Sequence, residues 1–288
     1  MGIGKTIKRI RISKNITQES LANAIGMSRP YIAKIEAEKH SISSERLTDI
    51  LDYCNVNYDE FLFMINDFQL SEKMKMLKTV NQHYLKTKQK PIQEVKELLE
   101  EKYSQTNDIF YYHLWILCHC IQHHFDIAKV DASYIDSITD YLFDVNEWCY
   151  YELTLFTSFL FMINPKTSLM LSKRLISRAY TYKEMNSDQK LLSYLLFNLI
   201  YIAIDIKEYK YAENLLEQAK GYFNNGTSFF EETILLFYEG LLEILNHHLE
   251  GSIKCRKSLE IFQHLGHENY YDIYFSHYKK VTNLLIEY

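Results

Sequence analysis

The chain has 288 residues, long for one domain and comfortable for two, and its 47% apolar fraction supplies a sizeable core. Only 8 Gly and 3 Pro stand against 24 Tyr and 16 Phe, which argues against a mixed or β protein and predicts an all-α one with ring-filled helix interfaces. The net charge of −5 is unevenly spread: residues 1–40 hold eight Lys/Arg against three Asp/Glu, so a basic head precedes an acidic body that is not expected to bind nucleic acid itself.

In chain order, the first helix is expected from Gly4 to Lys14, with Ile7 and Ile10 inward and a basic flank of Lys5, Lys8, Arg9, Arg11 and Lys14. Thr17 is a plausible N-cap for the second helix, whose inward face is Leu21, Ala22 and Ile25. Gly26 supplies the positive φ that ends it. Ser28 can cap the third helix. Arg29 and Pro30 lie in the first turn, where Pro is tolerated, and Ile32 and Ile35 face inward. Small Ala22 lets the two helices cross closely. This is a helix-turn-helix with Ser28–Glu36 as recognition helix. Gln18-Glu19-Ser20-Leu21-Ala22, Gly26-Met27-Ser28 and Ile32-Ala33-Lys34-Ile35-Glu36 make residues 4–64 resemble the phage-repressor-like helix-turn-helix domains. The candidate DNA-contacting residues are Gln18, Ser28, Arg29, Tyr31, Lys34 and Lys39, with His40 beside them. A fourth helix starts near Ser43 and buries Leu47, Ile50, Leu51 and Cys54. Asn57 caps a fifth, with Val56 and Phe61 at the staple positions. Residues 1–66 are therefore expected to be a five-helix DNA-binding domain and 67–288 a second domain.

That second domain opens with a long helix from Asp67 to Lys90 carrying Leu70, Met74, Leu77 and Leu85, broken by Pro91, and a charged helix over Gln93–Lys102. Helix pairs then recur: 107–125 with 131–145, 147–163 with 165–182, 188–206 with 208–223, and 229–247 with 249–265, closed by 268–287. Ala212, Leu216 and Ala219 share their spacing with Gly251, Cys255 and Ser258 about forty residues later, small residues that let the second helix of a pair nest on the first. This resembles degenerate tetratricopeptide repeats, and the fold class is an all-α chain with a helix-turn-helix followed by an α-solenoid.

Cys118-His119-Cys120 with His123 and His124 invites a metal reading, but Cys118 and Cys120 diverge by about 200° on a helix. Core packing and groove lining explain them, and neither a metal nor another cofactor is expected. No phosphate loop, nucleophile elbow or Cys/His catalytic spacing is present, so the chain is not expected to be an enzyme. Asn198 interrupts an apolar run between Tyr194 and Tyr201. The repeat alignment puts it on the concave groove, where an amide can bond an extended peptide backbone; the alternative is an internal partner at a helix end. One repeat earlier stand Thr154, Ser158 and Phe161.

The helix-turn-helix, the stretch Glu147-Trp148-x-x-Tyr151-Glu152-Leu153-x-Leu155-Phe156 and the repeat containing Asn198 together resemble the Rgg-like branch of the Rap/Rgg/NprR/PlcR/PrgX superfamily. The resemblance implies a homodimeric quorum-sensing transcription regulator. Two heads would bind double-stranded DNA at an operator with two half-sites, and a short signalling peptide would occupy Thr154, Ser158, Tyr194, Asn198 and Tyr201. Ser158 stands where the resemblance implies asparagine. No signal-peptide h-region, no membrane span and five cysteines read as reduced thiols imply a cytoplasmic protein without a membrane partner. A regulator needing no peptide and a repeat-based protein-binding module remain as alternatives.

Overall fold

The computed structural model describes residues 2–84, 91–179, 189–223 and 229–286. Among the described residues all regular structure is helical. The head contains α1 (Ile3–Ser13), α2 (Gln18–Ala24), α3 (Arg29–Glu36), α4 (Ser44–Tyr53) and α5 (Tyr58–Ile65), then α6 (Glu72–Tyr84). After Pro91 come α7 (Ile92–Thr106), α8 (Ile109–Gln122), a 3-10 turn (Ile127–Lys129), α9 (Ala132–Asp144), α10 (Tyr150–Phe159) and α11 (Pro165–Ala179). The series ends with α12 (Gln189–Asp205), α13 (Tyr209–Phe223), α14 (Phe229–Leu245), α15 (Gly251–His264) and α16 (Glu268–Ile286). The chain divides into two compact units, Met1–Val95 and Lys96–Tyr288. None of the described helices is long and apolar enough to cross a membrane.

The first unit is built on an aliphatic core. Ile7, Ile10, Leu21, Ala22, Ile32, Ile35, Leu47, Ile50 and Phe61 are all buried in one cluster. Each fully buried Ile or Leu there contributes about 1.5–3 kcal/mol. Thr17 caps α2 by accepting from the Ser20 amide at 3.0 Å, and Asn57 caps α5 by accepting from Glu60 at 2.7 Å. Gly26 has φ +65°, and the Met27 amide returns to the Ala22 carbonyl at 2.8 Å, closing α2 in a Schellman turn. Other helices end the same way without glycine: Asn15, Glu38, Asn55, His124, Lys207 and His247 all take positive φ just past a helix. A chain so poor in glycine therefore ends its helices on residues that carry a Cβ, at some cost in backbone strain.

Two expectations need correction here. Ser28 occupies the N-cap of α3, but its side chain makes no capping hydrogen bond. The helix expected from Asp67 begins only at Glu72, because Asp67 and Phe68 both take positive φ after α5. Leu70 thus precedes the helix, and Leu70 and Met74 are exposed, at 37% and 49%. Leu85, and the expected helical residues 180–182, 188 and 287, lie outside the described residues.

In the second unit α12 pairs with α13 and α14 with α15, as the spacing predicts, whereas α10 packs on both α8 and α9, and α11 on α12. α12 and α14 are each 17 residues long and begin forty positions apart, at Gln189 and Phe229. Ala212 and Ala219 on α13, and Gly251, Cys255 and Ser258 on α15, are all buried where each helix nests on its partner. Gly240 and Gly251 meet back to back: a Cβ on either would collide with the other's carbonyl oxygen. Ser258 donates to the Thr233 carbonyl at 2.7 Å across the same contact.

Candidate functional site

The surface of α3 comes first. Arg29 at its first position and Lys34 one turn on are exposed, with Lys39 just beyond the helix; none of the three makes an ion pair among the described residues. At the start of α3 Pro30 has no amide hydrogen to offer, and the Tyr31 and Ile32 amides donate to the Ser28 carbonyl at 3.0 and 3.2 Å, so recognition there falls to the side chains. Tyr31 is half-buried, its ring 5.7 Å from that of His40. Gln18 and Arg29 border one open depression of about 660 Å³, shared with Arg11, Asn15, Thr17 and Glu19.

Beneath this surface lies a network in which Gln18 steadies the recognition helix, as its place on the first turn of α2 suggests, and whose ion pair sequence reasoning missed. Glu36, only 4% exposed, accepts from Arg11 through both oxygens, at 2.6 and 2.9 Å, and from the Gln18 amide at 2.9 Å. Arg11 also donates to the Ile16 carbonyl at 2.8 Å. Hydrogen bonding to Glu36 raises the Arg11 pKa. One residue each from α1, α2 and α3 is thus joined in a fork, which is the strong form of an ion pair. Arg11 accordingly leaves the exposed basic flank, and Gln18 is held to the recognition helix through its amide. Lys5 is also engaged, 3.5 Å from Glu38. No local spacing connects Arg11 to Glu36, so no pattern in the sequence pointed to this.

The groove lies in the second unit. Tyr194, Asn198 and Tyr201 occupy one face of α12, and their counterparts forty residues earlier are Thr154, Ser158 and Phe161. Phe161 and Tyr201 meet edge to face at 6.0 Å, linking the two repeats. Phe161 is 50% exposed and Tyr194 is 43% exposed, so this face is open. The polar groups differ in what they offer. Thr154 donates to the Tyr150 carbonyl at 2.9 Å and Ser158 to the Thr154 carbonyl at 2.8 Å, so both hydroxyls are left only as acceptors. Asn198 is half-buried and makes no side-chain hydrogen bond among the described residues. Burial first, and then the neighbouring Tyr270, push the Tyr194 phenol up to about 12, so it stays neutral.

At the next repeat the corresponding residues, Ile234, Tyr238 and Leu241, are at most 1% exposed. Tyr238 packs against Tyr274 and His277 of α16, at 5.9 and 6.2 Å between ring centres. The terminal helix therefore lies over α14 where the groove lies open over α12. A signal existed: polar groove positions in one repeat turn apolar in the next, which calls for a cover.

The stretch around Trp148 proves structural. The Trp148 indole donates to the Leu142 carbonyl at 3.0 Å. Glu152 accepts from the Cys149 amide and from the Tyr141 hydroxyl, both at 2.8 Å, and the Tyr151 hydroxyl is 2.7 Å from His113 Nδ1. These bonds clamp α8, α9 and α10 together. Among the Cys and His residues of α8, Cys118 and Cys120 are buried, their thiols pushed up to about 12 by burial. His124 is exposed, so it does not share a face with Cys120. His119 and His123 do meet, at 4.7 Å, but the Lys96 ammonium lies 3.1 Å from His119 Nδ1; burial first, then Lys96, lowers the His119 pKa. No group of three potential metal ligands occurs among the described residues.

Free cations on the second helix of a helix-turn-helix, carried with a helical-repeat unit that holds an open groove, define a class: DNA-binding regulators with a repeat domain. Comparison with known proteins narrows it. Residues 7–61 match the helix-turn-helix family model, and residues 92–276 match that of the HTH-type transcriptional regulator Rgg, C-terminal domain. The chain belongs to the Rgg family of helix-turn-helix transcriptional regulators. Among solved structures it is similar to the SHP pheromone receptor Rgg2 of Streptococcus dysgalactiae, with TM-score 0.78 and 27% identity over 97% of this chain and 99% of that one. PrgX in complex with iCF10 shares the fold, with TM-score 0.70 and 16% identity over 97% and 95%. The antitoxin PezA of Streptococcus pneumoniae is 32% identical over 82 residues, 26% of this chain; the chain spans about half of that curated relative, 52%.

Proposed function

We propose that the chain is a homodimeric, cytoplasmic quorum-sensing regulator of transcription. Residues 1–66 dock α3 in the major groove of double-stranded DNA, two heads on two half-sites about one helical turn apart. Arg29 reads a guanine, Tyr31 and Lys34 reach bases or phosphate, and Gln18, Ser28 and Lys39 position the head on the backbone. Residues 67–288 hold the dimer contact and a short signalling peptide over Thr154, Ser158, Tyr194, Asn198 and Tyr201. The observation that carries the peptide reading is Asn198: an amide flanked by two tyrosines on an open groove face, with no protein hydrogen bond among the described residues. It offers a donor and an acceptor where Thr154 and Ser158 have spent their donors. That Rgg2 of Streptococcus dysgalactiae is an SHP pheromone receptor supports the same conclusion.

Titration calorimetry of the full chain against pooled short peptides from its host tests the peptide half. Asn198→Ala is expected to weaken binding roughly five- to hundred-fold, the equivalent of about 1–3 kcal/mol, with the unliganded melting temperature unchanged. A large fall in that temperature would make Asn198 structural. For the DNA half, Arg29→Ala is expected to cost about 1–3 kcal/mol and to relax preference at one operator position in gel shifts. A uniform loss across operator variants would reduce Arg29 to a phosphate contact.

A further inference from the structure

We infer that α16 is the end wall of the groove, and that Ile273 is the residue of that wall that selects an apolar side chain of the bound peptide. This rests on the peptide reading above and adds to it what bounds the site and what the ligand must present there.

The register of α16 against α12 carries the inference. Tyr194 and Tyr270 both pack on the Phe230 ring, at 6.3 and 4.9 Å, the Tyr201 ring lies 3.9 Å from that of His277, and Asp205 holds Lys280 at 2.7 Å. These three rungs ascend together in residue number, so the two helices run parallel side by side. Lys280 thereby marks the edge of α16 that faces α12. Ile273 lies seven residues before Lys280, two turns back on the same edge, and Asn198 lies seven residues before Asp205 on α12. Ile273 is thus level with Asn198, between the rung at Tyr194 and the rung at Tyr201. It is 53% exposed, although the alternating face of α16, Tyr274, His277 and Val281, is buried.

An exposed branched apolar side chain level with an unpartnered amide divides the work of recognition. Asn198 takes the peptide main chain, and Ile273 takes a side chain that points toward α16. The groove is also bounded. α16 covers α14, and at the opposite end Leu114 and Cys118 of α8, forty positions before Thr154 and Ser158, are buried. Among the described residues, open groove remains over α10 and α12. Two helix spacings of about 10 Å accommodate about six extended residues.

The test uses the full chain on an immobilised array of random octapeptides. The wild type is expected to enrich apolar residues at one peptide position. Ile273→Glu is expected to shift that position alone toward Lys and Arg, changing the preference about tenfold while the other positions and the melting temperature hold. Ile253→Glu, a charge placed on an exposed residue of α15, is expected to leave the profile unchanged. An enriched wild-type profile that Ile273→Glu leaves intact, or weakens evenly at every position, overturns this inference and leaves the peptide reading standing. A wild type that enriches no sequence overturns the peptide reading, and the inference with it.

Discussion

The head and the body solve the same problem, packing short helices, by opposite means. In the buried cluster of the head Phe61 is the one ring, and rigidity comes from side-chain caps and from the fork of Arg11 and Gln18 on Glu36. The body fills its interfaces with rings, among them Phe237, Tyr238, Phe262 and Tyr274, and brings backbones together at Gly240 and Gly251. A small unit that must present polar side chains has little apolar area to spare, so directional bonds fix its helices. A long stack has area in surplus and can leave one face of two repeats open. Both tryptophans, Trp115 and Trp148, lie in the body, so their emission reports on it alone while far-UV circular dichroism reports on both units.

The largest expected effect breaks the head. Glu36→Ala strands the Arg11 guanidinium in a site where its side chain is 11% exposed, a loss of about 3–5 kcal/mol. Urea denaturation followed by circular dichroism should then show an early transition with the tryptophan curve unmoved. Coincident shifts in both signals would mean that the two units do not unfold separately.

Acid should weaken the body through His113. Burial lowers this imidazole from 6.5 to about 4. Between those values the unfolded chain binds a proton that the folded chain refuses, so stability rises with pH. This contribution is complete above about pH 6.5 and is lost as pH falls toward 4, by up to about 3 kcal/mol. His113→Gln should flatten that part of the tryptophan-monitored profile. A profile as steep as the wild type's would assign the acid sensitivity elsewhere.

The smallest of the three effects sharpens the contrast in packing. Gly251→Ala forces a methyl group against the Gly240 carbonyl and should cost about 1–3 kcal/mol, seen in tryptophan emission. Binding of the head to an operator at low temperature should persist. An unchanged melting curve would show that α14 and α15 can separate without loss.

The sequence by itself determined the helical class, the pairing of α12 with α13 and of α14 with α15, and the helix-turn-helix, because each rests on information within a few residues. Thr17 and Asn57 cap where a hydroxyl or amide precedes an apolar run, Gly26 turns where only a missing Cβ is free of strain, and small residues recur at Ala212 and Gly251 where helices nest. It also placed Tyr194, Asn198 and Tyr201 on one face, since that follows from 3.6 residues per turn. Three things only the tertiary structure decided. Arg11, which looked like part of a basic flank, belongs to Glu36, 25 residues away in sequence. The hydroxyls of Thr154 and Ser158 bond back into their own helix and so differ from Asn198, which the repeat alone treats as their equal. The apolar Ile234, Tyr238 and Leu241 called for a cover, but only the fold shows that α16 supplies it by lying over α14. In each case the deciding term is a partner far away in the chain or a choice between nearby acceptors, and spacing along one helix holds no record of either.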